Sequence, residues 1–193
     1  MADDIDNIAY ATYRYPLEEH VRENAAEDQR CLAMVEEILV NQKKIGNPCA
    51  GMIVEPIQSE GGDYHGSKEW FQGLQKVCAR HNCAYMIDEV QTGGGPTGKI
   101  WAYEHFDLPE APDIVSFSKK MLTGGIYHKK AFRPKQAYRI FNTWVGDPSK
   151  TTFCWFAVKF HRSSRIGLQF SYCQFGKHQI RSTYTNTDDN RPM

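Results

Sequence analysis

The chain has 193 residues, which is long enough for one domain with a substantial core. Its 23 basic and 23 acidic side chains balance, so net charge favours neither a nucleic acid nor a membrane as partner. No apolar run approaches the roughly 20 residues of a membrane span. The acidic start, residues 1–7, lacks the basic residues of a targeting peptide. The six cysteines form no C-x-x-C pair, which argues against a zinc ribbon and predicts free thiols in a reducing compartment.

Two stretches show the periodicity of helices that bury one face. The first covers Leu17–Lys44, follows an extended segment at Tyr13–Pro16, and is expected to break in the charged stretch Glu23–Gln29. The second covers Ser67–His81, where apolar residues recur at helical spacing. The hydroxyl of Ser67 is expected to cap the start of this second helix.

Three short apolar runs predict buried strands. They are Cys49–Pro56, Ala84–Val90 and Ile114–Phe117, and each is bounded by polar or turn-forming residues. The order of strand, helix, strand, long connection and strand is typical of an α/β domain. We therefore predict the α/β class, with a parallel-rich sheet and flanking helices.

The last part of the chain differs from the rest. Residues 151–193 carry six basic side chains against two acidic ones, and their aromatic residues show no steady period. This segment gives no signal for a helix with clear ends. We predict three parts: a lead-in at residues 1–12, the main domain at 13–150, and an unrelated or disordered tail at 151–193.

Polar side chains follow all three predicted strands, where ligands of open α/β sheets bind. Glu55 and Glu60 follow the first strand, Asp88 and Gln91 the second, and Lys119 and Lys120 the third. A lysine can form a Schiff base with an aldehyde cofactor, and an aspartate can keep a pyridinium nitrogen protonated. The alternative is that these residues form an ordinary ion pair or solvated charges at the strand ends.

A glycine-rich stretch matches part of the sequence pattern of a nucleotide-binding loop. Gly93–Lys99 fits the pattern G-x-x-x-x-G-K and follows a predicted strand. A phosphate-binding loop needs Ser or Thr at the next position to hold magnesium, but this chain has Ile100. The sequence therefore argues against nucleotide binding.

Several ordered segments resemble the class III pyridoxal-phosphate-dependent aminotransferases. The segments are Met52–Gly62, Ile87–Gly93, Ser116–Lys120, Phe141–Trp144, Gly146–Lys150 and Tyr15–Glu19. The resemblance extends over about residues 13–150. It implies a partial large domain of the type I pyridoxal-phosphate-dependent transferase fold, with pyridoxal 5'-phosphate as cofactor.

The resemblance also implies roles for individual residues. Lys119 matches the Schiff-base lysine that also moves the proton, and Asp88 matches the partner of the pyridine nitrogen. Gln91 matches the contact to the ring hydroxyl, and Val90 matches a residue packed on one ring face. Thr143 matches a hydroxyl that reaches the cofactor phosphate across the interface of a homodimer.

The motifs are closest to family members that take 4-aminobutyrate as the amino donor. They imply transfer of its amino group to 2-oxoglutarate, so the partners would be a small-molecule amino donor and a 2-oxo acid, in a homodimer in the mitochondrial matrix. Glu60 matches an acid that pairs with an arginine as the site alternates between its two substrates. The arginines and the phosphate-binding turn of the family have no match in this sequence. The alternatives are an ω-aminotransferase with another donor, such as lysine, and a fragment without catalytic activity.

Overall fold

The computed structural model describes residues 8–136, 139 and 147–163. Within these residues the helices are α1 (Val21–Lys44), α2 (Lys68–Arg80) and α3 (Pro148–Ser163). The strands are β1 (Gly51–Val54), β2 (Ala84–Glu89), β3 (Ile114–Phe117) and β4 (Gly125–His128). None of the described helices combines the length and the apolar character that crossing a lipid bilayer requires.

The four strands form one mixed sheet in the order β1-β2-β3-β4. The first three strands pair in parallel, as the sequence predicts, while β4 returns antiparallel to β3. Strand β4 was not predicted from the sequence, because it is short and begins with a glycine. Its pairing is supported by the stacked rings of Phe117 and Tyr127, whose centroids lie 5.0 Å apart.

Helix α2 provides the largest share of the core on one face of the sheet. Its residues Trp70, Phe71 and Leu74 are fully buried, and burying side chains of this size contributes roughly 1.5–3 kcal/mol each. The predicted cap is confirmed, because the Ser67 hydroxyl oxygen accepts a hydrogen bond from the Trp70 backbone N–H at 2.9 Å. Helix α1 packs on α2 and does not touch the sheet extensively. On the opposite face of the sheet, Ile53 of β1 is 55% exposed.

Helix α1 differs from the prediction in two respects. It begins at Val21, after a separate 3-10 turn at Leu17–Glu19, and it runs through the charged stretch without a break. The stretch remains helical because its charges have partners. Asp28 is buried, and its carboxylate accepts hydrogen bonds from the hydroxyls of Tyr13 and Ser67.

Helix α3 corrects the prediction that no helix with clear ends lies after Lys150. Asp147 caps this helix, since its Oδ1 accepts a hydrogen bond from the Ser149 backbone N–H at 2.8 Å. Pro148 occupies the first helical position, which is favourable because a proline there sacrifices no helical hydrogen bond. The helix lies beside the turn Lys119–Met121. The division into lead-in, main domain and tail stays a prediction.

Candidate active site

A cleft of about 220 Å³ lies at the carboxyl ends of β1 and β2, next to the turn that follows β3. Its lining residues come from the three segments that the sequence singled out: Glu55, Ile57, Ser59, Glu60, Asp88, Val90, Gln91, Thr92 and Lys119. Parallel pairing accounts for this convergence, because it brings the carboxyl ends of neighbouring strands to one edge of the sheet. Five of the six candidate residues therefore share one cleft. The sixth, Thr143, lies outside the described residues.

Asp88 is held in place by its own strand and by the next one. Its Oδ1 accepts hydrogen bonds from the Val90 backbone N–H and from the Ser116 hydroxyl, both at 2.9 Å. Ser116 lies directly opposite Asp88 in the register of β2 and β3, so both side chains project from the same face. Both donors bind one carboxylate oxygen. No role was predicted for Ser116 from the sequence, because only the register of β2 and β3 reveals this contact.

Lys119 lies in a strained turn. It has a φ of +47°, and Leu122, at the end of the same 3-10 turn, has a φ of +60°. For a residue other than glycine, this left-handed conformation costs roughly 1–2 kcal/mol. Strain of this kind persists where the surrounding structure enforces it, often at functional sites. The side chain of Lys119 is exposed and lines the cleft.

Two glycines allow the loop after β2 to pack closely, and one of them, Gly94, faces the turn that contains Lys119. A Cβ on Gly94, whose φ is +84°, would lie 3.1 Å from the Cβ of Lys120. A Cβ on Gly93 would lie only 2.7 Å from the carbonyl oxygen of Glu89. The loop leads into a short 3-10 turn at Ala102–His105 and not into the α-helix that a nucleotide-binding loop requires. These glycines therefore serve the packing of the cleft wall.

The loops after β1 and β2 are joined by a chain of hydrogen bonds. The side-chain amide of Gln91 donates to the Ser59 hydroxyl at 2.5 Å, and the Ser59 backbone N–H donates to Glu55 Oε2 at 2.6 Å. The N-terminal lead-in contributes as well, because the Tyr10 hydroxyl lies 3.2 Å from the carbonyl oxygen of Glu55 and 3.1 Å from that of Pro56. Ser59 and Tyr10 were missed by sequence reasoning, since both act through contacts with distant segments.

Glu89 anchors the cleft wall from inside the core. It is fully buried, and its carboxylate accepts hydrogen bonds from the Thr92 hydroxyl and from the Tyr103 backbone N–H, the latter at 2.8 Å. Burial raises the pKa of Glu89 above its ordinary value, and the hydrogen bond from Thr92 opposes that shift. Glu89 thereby ties the end of β2 to the loop and to the 3-10 turn behind the cleft.

The charges of the cleft suit one part of the implied cofactor better than the rest. An amine at Lys119 and a fixed carboxylate at Asp88 fit the aldehyde and the pyridine nitrogen of pyridoxal 5'-phosphate. Among the described lining residues, Lys119 is the one cation, beside the carboxylates of Glu55, Glu60 and Asp88. Such a cleft matches the ring of the cofactor. The phosphate would need further donors, such as backbone N–H groups or Thr143.

A match over most of the sequence identifies the family of this chain. The family model for aminotransferase class III matches residues 2–164, and the chain belongs to this family. The match reaches residue 164, past the boundary that the sequence analysis drew at Lys150. The prediction of the family and of its α/β fold is thereby confirmed.

Particular relatives are similar over most of this chain. It is 57% identical over 137 residues to the mitochondrial 4-aminobutyrate aminotransferase of Sus scrofa, covering 71% of this chain and 27% of the relative. It is 46% identical over 168 residues to the probable mitochondrial 4-aminobutyrate aminotransferase of Caenorhabditis elegans, covering 83% and 35%. The solved structure of lysine aminotransferase from M. tuberculosis in the internal aldimine form has a TM-score of 0.67 at 29% identity, covering 80% and 36%. The chain thus spans about a quarter to a third of the length of these relatives.

Proposed function

We propose that this chain carries the ring-binding part of a 4-aminobutyrate aminotransferase, which moves the amino group of 4-aminobutyrate to 2-oxoglutarate with pyridoxal 5'-phosphate. One observation carries the proposal: a single cleft gathers Lys119, Asp88, Val90, Gln91 and Glu60 from three segments that are distant in sequence. The identity of 57% to a relative that bears this name supports the choice of donor.

Four residues of the cleft have definite tasks at the cofactor ring in this proposal. When bound, pyridoxal 5'-phosphate supplies an electron sink that makes a proton on the substrate carbon removable. The Lys119 amine would bond the cofactor aldehyde, and once released it would carry the proton between the two carbons. Asp88 would keep the ring nitrogen protonated, with Oδ1 fixed by Ser116 and Val90. Gln91 would contact the ring hydroxyl, and Val90 would pack against one ring face.

The remaining parts of the proposal rest on the family and its relatives. Thr143 would reach the cofactor phosphate of the other subunit in a homodimer. Glu60, which is exposed in the cleft, would pair with an arginine while the site alternates between its two substrates. The mitochondrial matrix is the proposed compartment, since two of the relatives described above are named as mitochondrial.

A second candidate donor is lysine. The structural similarity to a lysine aminotransferase, with a TM-score of 0.67, favours this alternative within the same reaction class. The two donors share a terminal amine but differ in the groups that the pocket must hold at the far end. A protein that joins this segment to the remaining length of a relative should transfer the amino group of 4-aminobutyrate faster than that of lysine. The reverse preference would assign the chain to the lysine-specific group.

The binding of the cofactor to Lys119 can be tested on this chain directly. Incubation with pyridoxal 5'-phosphate and reduction with borohydride should attach the pyridoxyl group to Lys119, as read by peptide mapping. Lys119→Arg should abolish the label, while Lys120→Arg, one residue away in the same turn, should keep it. Label on Lys120, or label spread over many lysines, would contradict the proposed site.

A further test concerns turnover by this chain as it stands. Because the described lining holds three carboxylates and one cation, it does not position a phosphate or a dicarboxylate. Loss of positioning removes on the order of 7–11 kcal/mol of barrier lowering. We expect the chain with pyridoxal 5'-phosphate, 4-aminobutyrate and 2-oxoglutarate to form no measurable glutamate. Turnover within about tenfold of the roughly 10 per second of ordinary enzymes would show that the cleft needs no further groups.

A further inference from the structure

Three thiols meet at the amino-terminal edge of the sheet, at the end of the strands opposite the cleft. Cys78 lies near the end of α2, Cys83 immediately precedes β2, and Cys49 lies two residues before β1. Cys78 and Cys83 are buried, with exposures of 1% and 5%, whereas Cys49 is half-buried. All three are free thiols.

The end of α2 brings the first two thiols together. The Cys83 N–H donates to the carbonyl of Cys78 at 3.0 Å, and the Asn82 N–H donates to the carbonyl of Ala79 at 3.3 Å. Asn82 has a φ of +54°, so the helix ends in a Schellman motif. In this motif the side chains at the positions of Cys78 and Cys83 contact each other. Both residues belong to the same buried cluster.

The pairing of β1 with β2 adds the third thiol. Gly51 pairs with Ala84, and the Ala84 N–H donates to the carbonyl of Ala50 at 3.0 Å. This register brings the residues before β1 beside those before β2, and Cys49 packs against the buried cluster that includes Cys78 and Cys83. Cys83 therefore has a buried thiol on one side and a half-exposed thiol on the other.

We propose that Cys49 and Cys83 form an oxidation site that peroxide converts to a disulfide. Of the three thiols, Cys49 is the one that a small oxidant reaches from solvent. Hydrogen peroxide transfers an oxygen atom to its sulfur, which gives a sulfenic acid and releases water. The Cys83 sulfur then attacks the Cys49 sulfur and gives up its proton, the S–O bond breaks, and hydroxide leaves with that proton as water. The pair loses two electrons, which reduce the O–O bond.

The surroundings of Cys83 favour the second step. The hydrogen bond from the Cys78 thiol lowers the pKa of the Cys83 thiol, and the Cys49 thiol acts in the same direction, while burial opposes both. The pKa of Cys78 is raised, first by its hydrogen bond to Cys83 and then by burial. Cys78 thus supports Cys83 as the nucleophile of the second step. The raised pKa of Cys78 keeps its own thiol protonated and protects it from oxidation.

The three cysteines fall in different tryptic peptides, so peptide mapping can identify the disulfide pair. Trypsin cleaves after Lys44, Lys68, Lys76, Arg80 and Lys99, so the three thiols fall in the separate peptides 45–68, 77–80 and 81–99. The folded chain is treated with hydrogen peroxide, denatured, alkylated and digested. We expect one new linked peptide that joins 45–68 to 81–99, sensitive to a reducing agent, with Cys31 and Cys78 alkylated.

The same oxidation in urea distinguishes the folded geometry from chance pairing. In an unfolded chain the shortest loop closes most readily, so Cys78 and Cys83 should dominate there. Cys49→Ser, a change at a half-buried position, should abolish the linked peptide without unfolding the chain, and Cys78→Ser should keep it. A link between Cys78 and Cys83 in the folded chain, or no link at all, would overturn the proposal.

Discussion

The helix-covered face of the sheet and the cleft at the strand ends differ in burial. On the covered face, Trp70, Phe71 and Leu74 are fully buried. In the cleft, Gln91 and Lys119 are exposed. The first region is apolar and its backbone is regular. The second holds three carboxylates, an amine and a turn in the left-handed region. The contrast separates two demands on the sequence: the covered face stabilises the fold, and the cleft keeps reactive groups available at some cost in stability.

The largest effect is expected on the covered face. Trp70→Ala removes the largest fully buried side chain, and such truncations destabilise by about 3–5 kcal/mol. The matched control is Ile53→Ala on the opposite face of the sheet, which should stay within about 0.5 kcal/mol because Ile53 is 55% exposed. Urea unfolding followed by circular dichroism measures both. Equal losses would show that the second face is covered in solution.

Asp88→Asn tests the cleft without disturbing the covered face. The amide oxygen keeps the hydrogen bonds from Ser116 and Val90, so the free energy of unfolding should hardly change. Loss of the negative charge should weaken retention of pyridoxal 5'-phosphate by about 1.5–3 kcal/mol, or roughly ten- to a hundredfold. The measurement is the cofactor concentration that half-saturates the borohydride label on Lys119.

Asp107→Asn provides the matched control for Asp88. Asp107 is exposed, forms an ion pair with Lys68, and does not line the cleft. Its replacement should leave the label unchanged. If both variants retained the cofactor equally well, Asp88 would not hold the ring. In a complete enzyme that carries this segment, Asp88→Asn should also nearly abolish proton abstraction.

The same contrast explains how far the sequence alone predicts the structure. The covered face was predictable, because α2 and its Ser67 cap follow local rules of periodicity and capping. Strand β4 was not, because its four residues depend on Phe117 for pairing. The start of α3 could have been recognised from Asp147 followed by Pro148, a common signal at the start of a helix.

The cleft was predictable in its parts and not in its connections. Asp88, Gln91 and Lys119 stand at strand ends and in family motifs, so position and resemblance both point to them. Ser116 and Ser59 lie 28 and 32 residues from the side chains that they bind. Contacts over such separations depend on strand register and loop path, which one sequence without relatives does not specify.

Glu89→Gln examines the boundary between the two regions. The amide can keep the hydrogen bonds to Tyr103 and Thr92, so the change itself should cost no more than about 1–2 kcal/mol. Burial raises the pKa of Glu89, so its contribution to stability is full below the ordinary glutamate pKa of about 4.3 and is lost as the pH rises through the raised value. The wild-type chain should therefore lose stability relative to Glu89→Gln as the pH rises above the ordinary glutamate pKa of about 4.3. A difference that does not depend on pH would mean that Glu89 reaches solvent.

The smallest effect is expected at the lysine turn, and its sign is opposite to the others. Lys119→Gly removes a strain of roughly 1–2 kcal/mol, while the added freedom of glycine in the unfolded chain costs about 0.5–1 kcal/mol. The first term is larger, so the free energy of unfolding should rise by about 0.5–1 kcal/mol. The cofactor label should disappear at the same time. Leu122→Gly is the matched control, because Leu122 has a φ of +60° in the same turn and is 56% exposed. It should give a similar gain and keep the label on Lys119. A gain in stability at Leu122 but a loss at Lys119 would show that the Lys119 side chain stabilises the fold and that its turn is not kept for chemistry.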